Sequence, residues 1–384
     1  MDTFVRSLTA TGKVVLLSGP LALFFAILSG WAEFSVLGVG CILSILVGMA
    51  WISRPQKLGV TRTLHPAKVT VGESAIGVVE VKNTTRRRIG PQFAEDVLGD
   101  EIVRLALPAL APDASIEQPY TVPAPKRGLF PVGPVRLTRS DPMGLFRREQ
   151  GQGSIVELWV RPRVYPMSTV SSGWAKDLDG PTSDTAPRGS AAFHALREYQ
   201  FGDDLRHVHW RTSARRNQLM VRHYVDTRRS EEAVLLDPRA EVYSGDAFED
   251  AVEIAASISA AAHRDGRSVQ LLLPNQPESA RANRFDVLDR LTLVHQVTGA
   301  STDDGFSLAR REASNASALI VVTGNADADE LMQQARRVQR GLVVIVRVVP
   351  DVEPGFQNVR GGRVVNVPSA NRAAGAWAEA VTRR

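Results

Sequence analysis

Two uncharged apolar runs open the chain, Val14 to Ala32 and Phe34 to Ser53, with Glu33 between them. Each approaches the ~20 residues that a helix needs to cross a bilayer, so the pattern predicts a two-helix transmembrane hairpin over residues 1–57. The first run is long for a signal peptide, and a second follows at once. Small residues recur at every fourth position, at Ser18, Ala22, Ala26 and Gly30 and then at Gly40, Ser44 and Gly48. Such stripes let backbones approach closely, either between the two helices or between two copies of the chain. Neither run holds a polar ionisable residue, which reads as an anchor and not as a transport path. Arg6 and Lys13 precede the first run, and Arg54, Lys57 and Arg62 follow the second. That bias predicts a plasma-membrane protein with both termini in the cytoplasm.

Residues 58–166 change rhythm. Segments such as RTLHPAKVTVGES, AIGVVEVKNTT and SIVELWVRPRVYP alternate apolar and polar positions and are broken by Pro, Gly and Asn-Thr. This predicts an antiparallel β-sandwich of immunoglobulin-like type. Residues 167–190, rich in Ser, Gly, Pro and Asp, read as an exposed linker, and residues 191–230 as a separate module. From 231 to 384 the near-continuous apolar runs EEAVLLD, RSVQLLLP, SALIVVTG and GLVVIVRVV alternate with helical stretches. Those helices are AFEDAVEIAASISAAAHRDG, RFDVLDRLTLVHQVTG, DADELMQQARRVQRG and ANRAAGAWAEAVTRR. Runs of this kind predict a doubly wound α/β unit whose parallel strands are covered on both faces. Its first strand ends at Asp237, where such sheets bind ligands.

Composition narrows the classes. With 44% hydrophobic and 23% charged residues the chain is neither disordered nor fibrous. A net charge of +5 over 384 residues does not mark the whole chain as a nucleic-acid binder. The single cysteine, Cys41, excludes an intrachain disulfide and a cysteine-based zinc site. No phosphate loop, nucleophile elbow or zinc-protease motif is present, so no cofactor and no catalytic residue is assigned.

Chemistry concentrates between residues 186 and 229, where nine arginines face four acids and four of the chain's seven histidines lie. Within it, LREYQFGDDLRHVHWRTSARR resembles the hallmark of the bacterial domain-of-unknown-function fifty-eight (DUF58) family. The match falls at Leu196 to Tyr199, Gly202 to Asp204, Arg206, Trp210, Arg211 and Ala214-Arg215, with Val208 where the family has Ile. KRGLFPVGP and SDPMGLF, at residues 126–134 and 140–146, are similar to the family's second signature. The resemblance implies a C-terminal domain like that of von Willebrand factor A. It also implies work beside a MoxR-type AAA+ ATPase, and in some members a transglutaminase-like membrane protein. Where a von Willebrand A metal site has Asp-x-Ser-x-Ser, this chain reads Asp237-Pro-Arg239-Ala-Glu241, a degenerate set that places a cation where a ligand belongs.

The resemblance and the clustering single out Arg197, Glu198, Tyr199, Gly202, Asp203, Asp204, Arg206, His207, His209, Trp210, Arg211 and Arg215 as interaction residues. Asp203 and Asp204 are expected to hold Arg197, Arg206 and Arg211 in an ion network, with Trp210 buried and the histidines hydrogen-bonded near it. A protein partner with an acidic surface suits Arg, Tyr and Trp; nucleic acid does not. Two alternatives stay open. Asp203, Asp204, His207 and His209 could serve metal-assisted hydrolysis, or the arginines could dock on anionic lipid.

Overall fold

A computed structural model describes residues 7–53, 58–98, 101–170, 191–199, 208–226, 231–281, 286–339 and 341–382. The chain divides into two compact units, Met1–Arg161 and Pro162–Arg384.

The N-terminal unit begins with the helices Ala10–Ser29 and Ala32–Ile52, both long and apolar enough to cross a membrane. Thr9 caps the first by accepting the Gly12 N–H at 3.0 Å. Gly30, left-handed at φ +72°, ends it and permits the tight reversal. The predicted runs start a few residues late, since Lys13 and Glu33 lie in first turns. Gly19, Ala22, Ala26 and Gly38 are buried between the helices, and a Cβ on Gly38 would lie 2.6 Å from Leu23. Only part of the predicted stripe does this work, because Gly40 faces open space. Outward residues such as Leu17 (73% exposed) and Ile27 (84%) leave an apolar surface that an aqueous protein would cover.

Ten strands follow. β1 (Leu58–His65), β3 (Ser74–Asn83) and β6 (Ser115–Pro123) form one antiparallel sheet in the order β1-β3-β6. The other sheet runs β2 (Lys68–Thr70), β10 (Val156–Arg161), β7 (Gly128–Val132), β4 (Gln92–Leu98), β8 (Val135–Ser140), β9 (Arg147–Gln152), with β5 (Glu101–Leu107) also on β4. Ladders are antiparallel apart from β2 on β10. Alternate residues of both sheets, Val79 and Val81 with Ala94, Leu137, Leu158 and Val160 among them, share one core.

Inside that core lies a polar triad. Asp96, 0% exposed, accepts from the Arg62 guanidinium and from the Tyr120 hydroxyl, and Arg62 also donates to the Val132 carbonyl. Burial foremost, then the bond to Asp96, raises the Tyr120 pKa. The GLFPVGP stretch supplies this site: Gly133 sits at φ +102°, and a Cβ there would strike the Arg62 guanidinium.

The SDPMGLF stretch forms the β8–β9 turn. Asp141 is buried and accepts the Met143 N–H at 3.0 Å and the Phe146 N–H at 2.6 Å. The turn packs on the helical hairpin. Phe146, 0% exposed, clusters with Leu8, Ile45, Ile52 and Leu145, and a Cβ on Gly48 would lie 2.8 Å from its ring. The Thr9 N–H donates to the Leu145 carbonyl at 2.9 Å.

The C-terminal unit carries a two-stranded ladder, β11 (Ala191–Glu198) with β12 (Met220–Asp226), and a six-stranded sheet. The sheet holds β13 (Glu231–Leu236), β14 (Ser268–Leu272), β15 (Ala318–Thr323), β16 (Leu342–Val348), β17 (Gly355–Val359) and β18 (Gly362–Val367). Their order is β14-β13-β15-β16-β18-β17, parallel except for the edge strand β17. Successive strand residues feed opposite cores. Val234, Leu236, Ile320 and Val344 pack with helices Ala247–Arg264 and Ala373–Thr382. Ala233, Leu235, Leu319 and Val343 pack with Thr302–Glu312 and Ala328–Val338.

Two expectations need correction here. The predicted linker does not begin at 167, because Met167 and Val170 are buried in this unit and the Ser168 carbonyl accepts from the Trp377 indole at 2.6 Å. The single helix expected over RFDVLDRLTLVHQVTG is only Val287–Thr292, and the longer helix lies beyond it at Thr302–Glu312.

Candidate functional site

The strand order places a switch point between β13 and β15, since the connection from β13 runs to one side and that from β14 crosses to the other. Asp237 leaves the end of β13 there, its N–H bonded to the Val322 carbonyl. Its side chain is held by its neighbours. Arg239 grips it with two prongs, Nε to Oδ1 at 3.0 Å and Nη2 to Oδ2 at 2.7 Å, and reaches the Thr302 hydroxyl through Nη1 at 2.6 Å. Thr323 donates to Oδ2 at 2.8 Å, and the Tyr243 hydroxyl donates to the Asp237 carbonyl at 2.6 Å.

The fork-to-carboxylate bond raises the pKa of Arg239, against a smaller opposing effect of burial. Burial, then the Asp237 charge, pushes the Tyr243 phenol well up. A shallow cavity beside this cluster is lined by Pro238, Pro274, Ser301, Thr302, Gly305 and Phe306. These residues do not fit a divalent cation. The guanidinium occupies the carboxylate oxygens and one hydroxyl that would be its ligands, and a second cation beside it would be repelled. The cluster is a neutralised ion pair that ties β13 to β15 and to the helix at Thr302.

The second candidate is the module that ends on β12. The helix Trp210–Arg216 starts at His209, whose Nδ1 accepts the Thr212 N–H at 3.2 Å, and stops at Asn217, left-handed at φ +53°. Ser213 is the buried pin of the helix. Its hydroxyl donates to the His209 carbonyl at 3.1 Å and accepts the Met220 N–H at 2.8 Å. Val208, Met220 and Val221 are buried beneath, with Val208 bridged to Val221.

This inner face fixes what the outer face shows. Trp210 is 66% exposed, which corrects the expectation that it is buried. It occupies the first helical position, at the exposed end of the helix. Arg211, Arg215 and Arg216 are also exposed, and Arg211 and Arg215 stand one turn apart on the same side. Glu198 is exposed and Tyr199 half-buried, with the Tyr199 N–H on the Leu219 carbonyl at 2.8 Å. Gly202, Asp203, Asp204, Arg206 and His207 lie outside the described residues, as does the side chain of Arg197. Of the expected ion network only the Arg211 side chain, and of the four-residue hydrolytic set only His209, lies among the described residues.

Sequence reasoning missed Arg62, Asp96 and Tyr120 and the structural use of Asp141. The grip of Arg239 on Asp237 was foreshadowed by the Asp-x-Arg spacing.

The two candidates lie in the C-terminal unit, one at the end of β13 and one in the module that ends on β12. Residues 195–366 match the family model described as "Protein of unknown function DUF58". The uncharacterized protein YeaD of Bacillus subtilis is 28% identical over 158 residues, 41% of this chain and 39% of its own length. The match thus spans well under half of that relative. Among solved structures, the CARDB domain of PF1109 from Pyrococcus furiosus is 12% identical with a TM-score of 0.20, over 26% of this chain and 94% of that one. The putative ApaA protein from Bordetella pertussis is 17% identical with a TM-score of 0.21, over 28% and 96%.

Proposed function

We propose that the chain is a membrane-anchored adaptor that binds other proteins, foremost a MoxR-type AAA+ ATPase and in some settings a transglutaminase-like membrane protein. In this reading the two apolar helices span the plasma membrane, and both soluble units lie in the cytoplasm. The N-terminal strands are an immunoglobulin-like sandwich, and the sheet that starts at β13 is a von Willebrand A-like domain that works without metal.

The observation that carries the docking role is the outer face of the Trp210–Arg216 helix. An exposed tryptophan flanked by exposed Arg211, Arg215 and Arg216 is costly to leave in water and has the composition that dominates protein interfaces. Its charge favours an acidic partner surface.

The test is co-purification of the ATPase with the full-length chain from solubilised membranes. Trp210→Ala combined with Arg215→Ala should reduce recovery at least about tenfold, since anchors of this kind contribute about 2 kcal/mol or more each. Both side chains point outward, so the fold should survive. Recovery equal to wild type would contradict the proposed surface. The rival hydrolytic reading rests on Asp203, Asp204, His207 and His209, and stoichiometric divalent metal in the purified protein would favour it.

A further inference from the structure

We infer that the loop between β3 and β4, residues 84–88, docks on the anionic headgroups of the bilayer that carries the hairpin, with Arg86, Arg87 and Arg88 as its cations. The inference rests on the membrane-spanning reading of the two apolar helices.

The strand registers place the loop. The β8–β9 turn packs on the end of the second helix through Phe146, and the Thr9 N–H at the start of the first helix donates to the Leu145 carbonyl. That end of the two sheets is the foot of the hairpin. β4 runs antiparallel to β8, with Phe93 opposite Thr138, so the start of β4 lies at the same end. On the other sheet Asn83, the last residue of β3, is opposite Leu58, where β1 begins six positions after the second helix stops at Ile52. Both sheets therefore bring the loop to the hairpin's foot.

The loop is also built to hold its charges outward. Asn83 is 0% exposed, and its side-chain amide donates to the carbonyls of Arg87 at 2.9 Å, Leu110 at 3.2 Å and Ala111 at 3.0 Å. Its Oδ1 accepts the Thr85 N–H at 2.9 Å and the Thr85 hydroxyl at 2.7 Å. Ile89 and Leu110 then exchange two backbone bonds of 2.9 Å each. The backbone is thus fixed while all three arginine side chains are exposed, and among the described residues no acid pairs with them. The facing turn, residues 108–114, carries one acid, Asp113, against the three arginines and exposed Lys82, which leaves this end a cationic excess. Three adjacent like charges repel one another, and an anionic surface offsets that repulsion without needing a shaped pocket. The bilayer is the anionic surface that this end meets by construction.

The experiment uses the full-length chain in phosphatidylcholine bilayers with spin-labelled phosphatidylglycerol or spin-labelled phosphatidylcholine as probe. The fraction of each label immobilised by the protein is the readout. Wild type should prefer the phosphatidylglycerol label. Arg86→Gln, Arg87→Gln and Arg88→Gln combined should lower that preference at least about fivefold, the factor matching about 1 kcal/mol for even one basic side chain at an anionic surface. Asn83 holds this stretch through the backbone carbonyl of Arg87, so the loop should keep its shape. Lysine at all three positions should retain the preference, and Lys126→Gln, beyond the far end of β6, should leave it unchanged. An unchanged preference in the triple glutamine variant, or an equal loss in Lys126→Gln, would overturn the site. Loss of the wild-type preference in inorganic phosphate, but not in sodium chloride of equal ionic strength, would overturn the lipid assignment in favour of a soluble anion. Reduced recovery of the ATPase by the triple glutamine variant at wild-type lipid preference would give the loop to a protein instead. Extraction of wild type from the bilayer by alkaline carbonate would overturn the membrane reading, and this inference with it.

Discussion

Asp96→Ala is expected to destabilise the N-terminal unit by about 3–5 kcal/mol, the cost of leaving a buried charge without its partner. Asp96 is fully buried, as is the guanidinium of Arg62 that donates to it. Removing the carboxylate leaves that guanidinium with the neutral Val132 carbonyl and Tyr120 hydroxyl in place of its charged partner, and takes away the acceptor of the Tyr120 hydroxyl. The discriminating variant is the triple Arg62→Met, Asp96→Leu, Tyr120→Phe. If the loss comes from an uncompensated charge, the triple should regain more than half of it, since apolar replacement of a buried ion pair is often near neutral. Chemical unfolding of the full-length chain in detergent measures both. A triple variant as unstable as the single one would mean that specific geometry, and not charge, is what the core needs.

Phe146→Ala should be of similar size, about 3–5 kcal/mol, and should act locally. Phe146 fills the junction between the β8–β9 turn and the foot of the second helix, against Gly48 and beside the Asp141 carboxylate. Opening of that junction exposes the N–H groups of Phe146, Gly144 and Thr9, which are bonded to Asp141 and to the Leu145 carbonyl. Their hydrogen exchange should accelerate by two orders of magnitude or more, at tenfold per about 1.4 kcal/mol. Exchange of the β3 amides should stay slow. If the three protons exchange as in wild type, the turn is not what couples the strands to the hairpin.

The sequence carried the periodic parts of this fold. EEAVLLD, RSVQLLLP, SALIVVTG and GLVVIVRVV became β13, β14, β15 and β16 because a strand covered on both faces must be apolar throughout. The two N-terminal runs became helices for the same compositional reason.

What escaped depended on partners distant in sequence. Arg62, Asp96 and Tyr120 are single polar residues within strand patterns, and alternation alone reads them as solvent-facing. Phe146 meets Gly48 and Leu145 meets Gly12 across about a hundred residues or more, with no local mark. The helix Thr302–Glu312 did have a signal, the capping box of Ser301 with Asp304, but its short apolar face was masked by charges. Large aromatics are usually buried, which is what the sequence suggests for Trp210; its 66% exposure depends on how the short helix lies on β12, which sequence does not reveal.

The central claim is that residues 10–52 cross a bilayer as a hairpin and leave the remaining chain on one side. Labelling of intact cells with a membrane-impermeant maleimide tests it, in a Cys41→Ser background carrying either Glu33→Cys in the tight turn or Glu117→Cys on β6. Both positions are exposed on the molecule. The hairpin requires that the turn cysteine label from outside and that the β6 cysteine label only after lysis. Labelling of both positions, or of β6 alone, in intact cells would contradict it.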